Sequence, residues 1–408
     1  YGVRFEINNP PTYPRNQAST FDLRTGKIVV ASTPDGQLDL TTQGAGPLAG
    51  ELYSDLIVPS SQAGLPSNFI AGTYWTFSPR LGVAWQPFGE STVFRVGYGI
   101  FTVLPEIGWF KAVAAQNVPF VLNETVNNTA TQVQNLFGSS LAYTRTNRPI
   151  PNINALDPNY HTPYQQQWNV AIQQAFGPNL SLEVAYVGAE ATHLQSPYRV
   201  NDPAPGPQAT IQQRRPFPLL GSISLDTFGA TASYNALQAN VVKKVSRGLS
   251  FTASYAWTKS IHLFAAPVAT TFTAGVEQIG GRLDLERAAS FYQAPHTFVG
   301  SYVYDLPFGK GRLWLASAPS VVSKLVSGWN VSGVVTMRDG LPFAPSISAD
   351  RSGTGSPRPR ANYVGGQPLY PEEKTLARWF NPAAFALPDL MTFGNAGLNI
   401  LRAPGLVN

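Results

Sequence analysis

The chain has 408 residues, of which 12% are charged and 12% aromatic, with 36 glycines, 35 prolines, no cysteine and a formal net charge of +5. Without cysteine there is no disulfide framework, iron–sulfur cluster or thiolate zinc site, and the basic residues lack the clustering of a nucleic-acid surface. No run of 18 apolar residues occurs, which excludes an ordinary transmembrane helix, while low charge with ordinary hydrophobicity suits turn-rich β-structure, membrane barrels included.

The chain opens YGVRFEINNPP, with no Met and no apolar leader; Val3 and Phe5 alternate with Arg4 and Glu6 as they do inside a strand. At the other end GNAGLNILRAPGLVN stops without a closing element. Both ends read as those of a piece of a larger protein. Next comes SPRLGVAWQPFGESTVFRVGYGIF, in which Leu81, Val83 and Trp85 alternate with Arg80, Gly82 and Ala84. After the turn Pro87-Phe88-Gly89-Glu90-Ser91 the pattern resumes, with Phe94, Val96, Tyr98 and Ile100 against Arg95, Gly97 and Gly99. Period two puts these sets on opposite faces of two strands.

The same alternation recurs at 166–176 (Trp168, Val170, Ile172 against Gln167, Asn169, Gln173) and at 180–186 (Leu182, Val184, Tyr186 against Ser181, Glu183, Ala185). It returns at 234–245 (Leu237, Ala239, Val241) and 249–258 (Phe251, Tyr255, Trp257), more noisily at 296–306, and again at 329–338 (Trp329, Val331, Val335, Met337). That makes about nine strands.

The connections run alternately long and short. The short ones carry turn chemistry, such as Gly177-Pro178-Asn179 and Ser246-Arg247-Gly248. The last short one is lengthened by Pro319–Ser327, where Val321, Val322, Leu325 and Val326 suit one short amphipathic helix. In an up-and-down meander this puts every long loop at one end of the sheet, an asymmetry usual in outer-membrane barrels and uncommon in soluble domains. Strands of about 9–11 residues cross a bilayer when tilted. One face carries Gln, Asn, Ser, Arg and Glu, costly in a dry core and at ease in a watery or plugged lumen. Trp85, Tyr98, Trp168, Tyr186, Tyr255, Trp257 and Trp329 lie toward strand ends on the apolar face, where interfacial girdles sit. Alternation alone also fits a soluble sandwich or propeller; connection parity and polar load favour the membrane. The fold expected is an all-β, antiparallel up-and-down transmembrane β-barrel segment, 1–408, with long extracellular loops.

The stretch DLERAASFYQAPHTFVGSYVYDLPFGKGR from Asp284 resembles the TonB-dependent outer-membrane receptors of the Oar-like type. YQQQWNVAIQQ, SGWNVSGVVTMRDGLPF, WFNPAAF and FGNAGLNILRAPG extend the likeness over most of the chain. The resemblance implies a larger barrel with an N-terminal plug, energised by the TonB system, that captures an extracellular ligand in a membrane of lipid and lipopolysaccharide. No plug or TonB box lies within these residues, so both are expected outside them. A non-transporting adhesion or structural barrel, or a soluble carbohydrate-binding module, is the alternative.

No nucleophile elbow, P-loop or complete dinucleotide fingerprint occurs, and the expectation is a protein without catalysis or cofactor. His161, His193, His262 and His296 have no zinc-type spacing. Arg80, Arg95, Glu183 and Arg338 fall on the polar face, where they either meet a plug or substrate route or pair along the wall. Asp284, Glu286 and Arg287 are rim candidates, for a ligand or Ca²⁺ or, more simply, for a bracing ion pair. RSGTGSPRPR, 351–360, reads as a basic solvated loop tip able to meet lipopolysaccharide. Asn123-Glu124-Thr125 and Asn127-Asn128-Thr129 match glycosylation sequons, patterns short enough to arise by chance.

Overall fold

The computed structural model describes residues 1–9, 12–72, 75–102, 114–122, 143–263 and 277–407; the two sequons lie outside them. Nine long strands form an antiparallel meander: β1 (Gly2–Ile7), β2 (Trp75–Trp85), β3 (Thr92–Thr102), β4 (Tyr164–Ala175), β5 (Leu180–Arg199), β6 (Ile223–Ser246), β7 (Leu249–Leu263), β8 (His296–Asp305) and β9 (Asn330–Arg338). Three short segments, Ile153–Leu156, Arg287–Ala289 and Leu406–Val407, join them in a 12-stranded sheet among the described residues. The sheet is not closed: the meander begins at β1 and ends at β9, which meets Leu406–Val407 only at Met337 and Arg338.

Turn chemistry sets the hairpins. Between β6 and β7 both central residues have positive φ, 52° at Arg247 and 81° at Gly248, the backbone a two-residue hairpin needs to match strand twist. The Pro319–Ser327 region forms the expected helix at Ser320–Val326, beside Trp329, whose indole N–H donates to the Leu325 carbonyl at 2.6 Å. Among the described residues no helix is long and apolar enough to cross a membrane.

Register turns the sequence alternation into two continuous faces. One cross-strand row runs Trp85, Phe94, Ile172, Val184, Ala239, Tyr255, Phe298, Met337. The next runs Ala84, Arg95, Ala171, Ala185, Gln238, Ala256, Thr297, Arg338. Large apolar side chains stand free on the first face, Trp85 at 62%, Val83 at 54% and Trp257 at 56% of full exposure. An apolar surface of this extent is stable against lipid and not against water. The rows also drift. Trp85 closes the turn end of β2, whereas Met337 lies one residue from the loop end of β9. This stagger is the shear that tilts strands in a barrel wall.

Two strands run further than alternation indicates. β5 continues past Tyr186 to Arg199 and β6 begins at Ile223 rather than near 234. The extra length rises above the lipid-facing band and carries Ile153–Leu156 along its flank in parallel pairing. There the two faces no longer separate lipid from water, so the period-two signature lapses although the ladder persists.

The buried apolar core lies in the long connections and not in the wall. One cluster gathers Tyr13, Val29, Phe69, Leu156, Tyr160 and Phe228; a second gathers Phe21, Ile28, Tyr53, Val118, Ile153 and Ile223. Its frame is a hairpin that alternation did not reveal, Ser19–Asp22 with Lys27–Val30. Asp22 closes the turn, accepting from the Arg24 N–H at 3.0 Å and the Thr25 hydroxyl at 2.8 Å. Asn117 then ties separate connections together, its amide donating to the carbonyls of Ser19 and Asn154. Long loops rich in Pro, Asn and Thr therefore fold here as a packed cap.

Candidate functional site: the polar wall and the loop cap

Arg95 owes its position to small neighbours. Ala171 and Ala185, beside it in the polar row, are buried, which lets the long side chain lie across the wall. Its guanidinium donates to Gln173 Oε1 at 2.7 Å and Glu183 Oε2 at 3.2 Å. Arg80, nearer the loop end of β2, stands over the Phe101 ring at 4.4 Å, a contact worth about 0.5–1 kcal/mol at an exposed site. Arg338 shares the cross-strand row of Arg95 but lies six strands away. Of the four wall candidates the structure thus joins only Arg95 and Glu183, with Gln173 as a partner that sequence reasoning missed. Both ionic side chains remain about two-fifths exposed, at 44% and 40%, where water screens the pair. Arg95→Ala is expected to change wall stability by less than about 1 kcal/mol in a denaturant titration; a larger loss would mean that Arg95 holds more than this pair.

The rim residues separate. Asp284 pairs with Arg282 at 2.8 Å, both exposed, and that guanidinium holds the Asp284 carboxyl below its usual range. Glu286 is fully buried, accepting from the Gln278 N–H at 3.1 Å and paired with Arg360. Arg287 points away, exposed, opposite Leu263. Among the described residues no three His, Asp or Glu side chains converge to hold a metal ion. His161 and His193 stack with ring centroids 4.9 Å apart. His296 opens β8, where its Nδ1 lies 2.7 Å from the Tyr255 hydroxyl.

The chemically dense region is one that sequence reasoning passed over. At the end of β5 the Arg199 backbone N–H and Nε both donate to Glu277 Oε1, at 2.7 and 3.3 Å. Its Nη2 donates to the Glu277 carbonyl at 2.9 Å and lies 3.1 Å from Asp202 Oδ2. Arg215 approaches the other Asp202 oxygen at 3.8 Å. Gln278 continues the network, accepting from the Arg360 N–H at 3.0 Å and donating to the Gly394 carbonyl at 2.7 Å. Glu277 and Glu286 have no exposed surface. Burial pushes the carboxyls of Glu277 and Asp202 up, and Arg199 offsets part of that rise.

RSGTGSPRPR belongs to this network, which corrects the expectation of a solvated tip. Ser352, Thr354, Ser356 and Arg360 are buried. Asp350 organises the turn, one oxygen accepting from the Ser352 N–H and hydroxyl, the other from the N–H groups of Thr354 and Gly355. Gly353, at φ 67°, packs so close to the Gly206 carbonyl that a Cβ would overlap it. Of the segment's three arginines only Arg360 is buried, opposite the Glu286 carboxylate, while Arg351 donates to the Pro388 carbonyl and Arg358 stays exposed. The cap is correspondingly tight: the cavity between Gln278, Ser352, Ser356 and Arg360 is about 10 Å³, at the limit for one water.

The sequence profile of the outer membrane beta barrel domain family matches residues 1–408. The chain belongs to that family. Among solved structures, this outer-membrane β-barrel is similar to the outer membrane transporter YddB from Escherichia coli, with TM-score 0.37 and 10% identity over 65% of this chain and 34% of that one. It is also similar to the FrpB iron transporter from Neisseria meningitidis, F3-3 variant (TM-score 0.31, 10% identity, 65% and 33%). A third is the ferric-catecholate import receptor Fiu from E. coli K12 (TM-score 0.29, 10% identity, 65% and 29%). The chain spans about a third of the length of these proteins. No curated protein matches it. In an outer-membrane β-barrel the apolar face is the one that meets lipid, and in this one that face carries the Trp85–Met337 row.

Proposed function

We propose that this barrel is the wall and extracellular cap of a TonB-dependent, Oar-like receptor that takes up a ligand without catalysis. The observation that carries the reading is the placement of the long connections. Those following β1, β3, β5, β7 and β9 all leave from one end of the sheet, and their described parts pack into shared apolar clusters and one buried ionic network. In outer-membrane barrels the longer loops face the exterior, so the cap covers the mouth a ligand must enter. The lumen face, lined by Gln, Asn, Ser and the Arg95–Glu183 pair, suits contact with a polar plug. Both free sheet edges are paired in the membrane, because lipid leaves unpaired strand groups without hydrogen bonds.

The test is uptake by cells carrying the protein in their outer membrane, using labelled siderophores, oligosaccharides and peptides, with the proton-motive force intact and then collapsed. Accumulation of one class that stops when the force is collapsed supports energised uptake. Surface binding with no accumulation overturns it and favours a non-transporting surface barrel. That second reading has its own support in the cap, whose polar network leaves room for little more than a water.

A further inference from the structure

The lipid-facing side changes character just above Trp257. Lys259 and Ile261 continue that side of β7 toward the cap, and pairing with Leu263 sets Arg287 on the same side. The ladder opens between these points. β7 pairs with β8 as far as Trp257 and with Arg287–Ala289 only from Ile261. The intervening residues bond instead to a bulging turn, Thr258 N–H to the Pro295 carbonyl at 2.8 Å and Ser290 N–H to the Ser260 carbonyl at 3.0 Å. The gap forms a groove of about 920 Å³ with Tyr186, Leu237 and Trp257 toward the bilayer and Lys259 and Arg287 toward the cap.

The two cations are poised for something outside the chain. Both are exposed, and among the described residues neither forms a side-chain hydrogen bond or ion pair. Arg402, a third cation at the groove, is already engaged, donating to the carbonyls of Gln293 at 3.1 Å and Gly340 at 3.4 Å. Glu190, the acid on the same side of the wall, stands on β5, two strands from β7. Positive charge at headgroup depth, above an aromatic row and an apolar floor, complements an anionic head with hydrocarbon below it. Free phosphate would use the cations and leave the floor unused; a neutral lipid would do the reverse.

We propose that this groove seats an outer-leaflet lipid with a phosphorylated headgroup, its phosphates on Lys259 and Arg287 and its acyl chains running over Leu237 and Trp257. The proposal rests on the apolar row being the lipid face, and it is independent of any transported ligand. Each basic side chain near an anionic headgroup strengthens binding several-fold.

The test is native mass spectrometry of the protein extracted from outer membranes in mild detergent, stripped of lipid and offered a bis-phosphorylated glycolipid, its dephosphorylated form, or inorganic phosphate. The wild type is expected to retain the phosphorylated lipid at least about tenfold better than the dephosphorylated one. Lys259→Gln with Arg287→Gln is expected to abolish that preference, and the lumen-facing Arg338→Gln to keep it. Equal retention of both lipids, an unchanged preference in the double variant, or displacement of the lipid by inorganic phosphate would each overturn the proposal. A probe at Val170 reports separately on the lipid face. If a bilayer-embedded quencher does not reach it, the face assignment itself fails and takes the proposal with it; if it does, a failed lipid preference counts against the groove alone.

Discussion

Val170→Arg is expected to destabilise the membrane-inserted protein by about 2–4 kcal/mol, while Gln238→Arg changes its stability by no more than about 0.5 kcal/mol. Val170 is in the middle of β4 on the apolar side, paired with Val96 and Tyr186, and 47% exposed, a surface that lipid would cover in the membrane. A guanidinium there must thin the bilayer or snorkel. Gln238 belongs to the row of Arg95 and Arg338, where a further cation stays hydrated. Denaturant titration of the protein folded into vesicles reads both costs. Equal penalties at the two sites would mean that the apolar row packs on protein, and the lipid assignment would fall.

Arg199→Met is expected to remove about 3–5 kcal/mol from the stability of the cap, because it leaves Glu277, without exposed surface, lacking its cation. The loss should appear as faster amide exchange around 200–222, 277–290 and 350–360, with the amides of β2, β3 and β4 unchanged. Replacing both partners, Arg199→Met with Glu277→Leu, is expected to restore most of it, since a buried pair exchanged for apolar residues is often neutral. The pH dependence has a definite sign. Burial raises the Glu277 carboxyl above its unfolded value, so the folded state binds the proton more readily. Its contribution therefore grows as pH falls through the folded value and is lost as pH rises through it. Removing Arg199 takes away the partner that offsets that rise, and the variant's deficit should narrow in acid. A loss below about 1 kcal/mol would show that water reaches the network.

How much could be read in advance depended on which solvent a segment meets. Between Leu81 and Trp85, or Trp168 and Ile172, lipid lies on one side and water on the other, and each side selects its own residue types. The contrast writes itself into the sequence with period two. The β5–β6 extension and the Ser19–Val30 hairpin meet no such contrast, so their strands went unseen. The hairpin did leave a local trace, Asp22 through Gly26 between β-branched residues, weaker than a face pattern.

Charged side chains were harder still. Arg95 and Glu183 are distant in sequence, and only the register of β3, β4 and β5 brings them together. Asp284, Glu286 and Arg287 are adjacent in sequence and point to three different surroundings. Arg199 and Glu277 had no motif at all, and Arg360 stood out only as part of a basic run that read as a solvated tip. By itself the sequence determined the membrane-band strands of the meander, their two faces and the alternation of long and short connections, because these follow from local side-chain period and turn chemistry. Only the tertiary structure decided the stagger of the wall, the packing of the loops into a cap and the pairing of its buried charges. Those depend on which distant segments meet, and no local pattern of solvent contact records that.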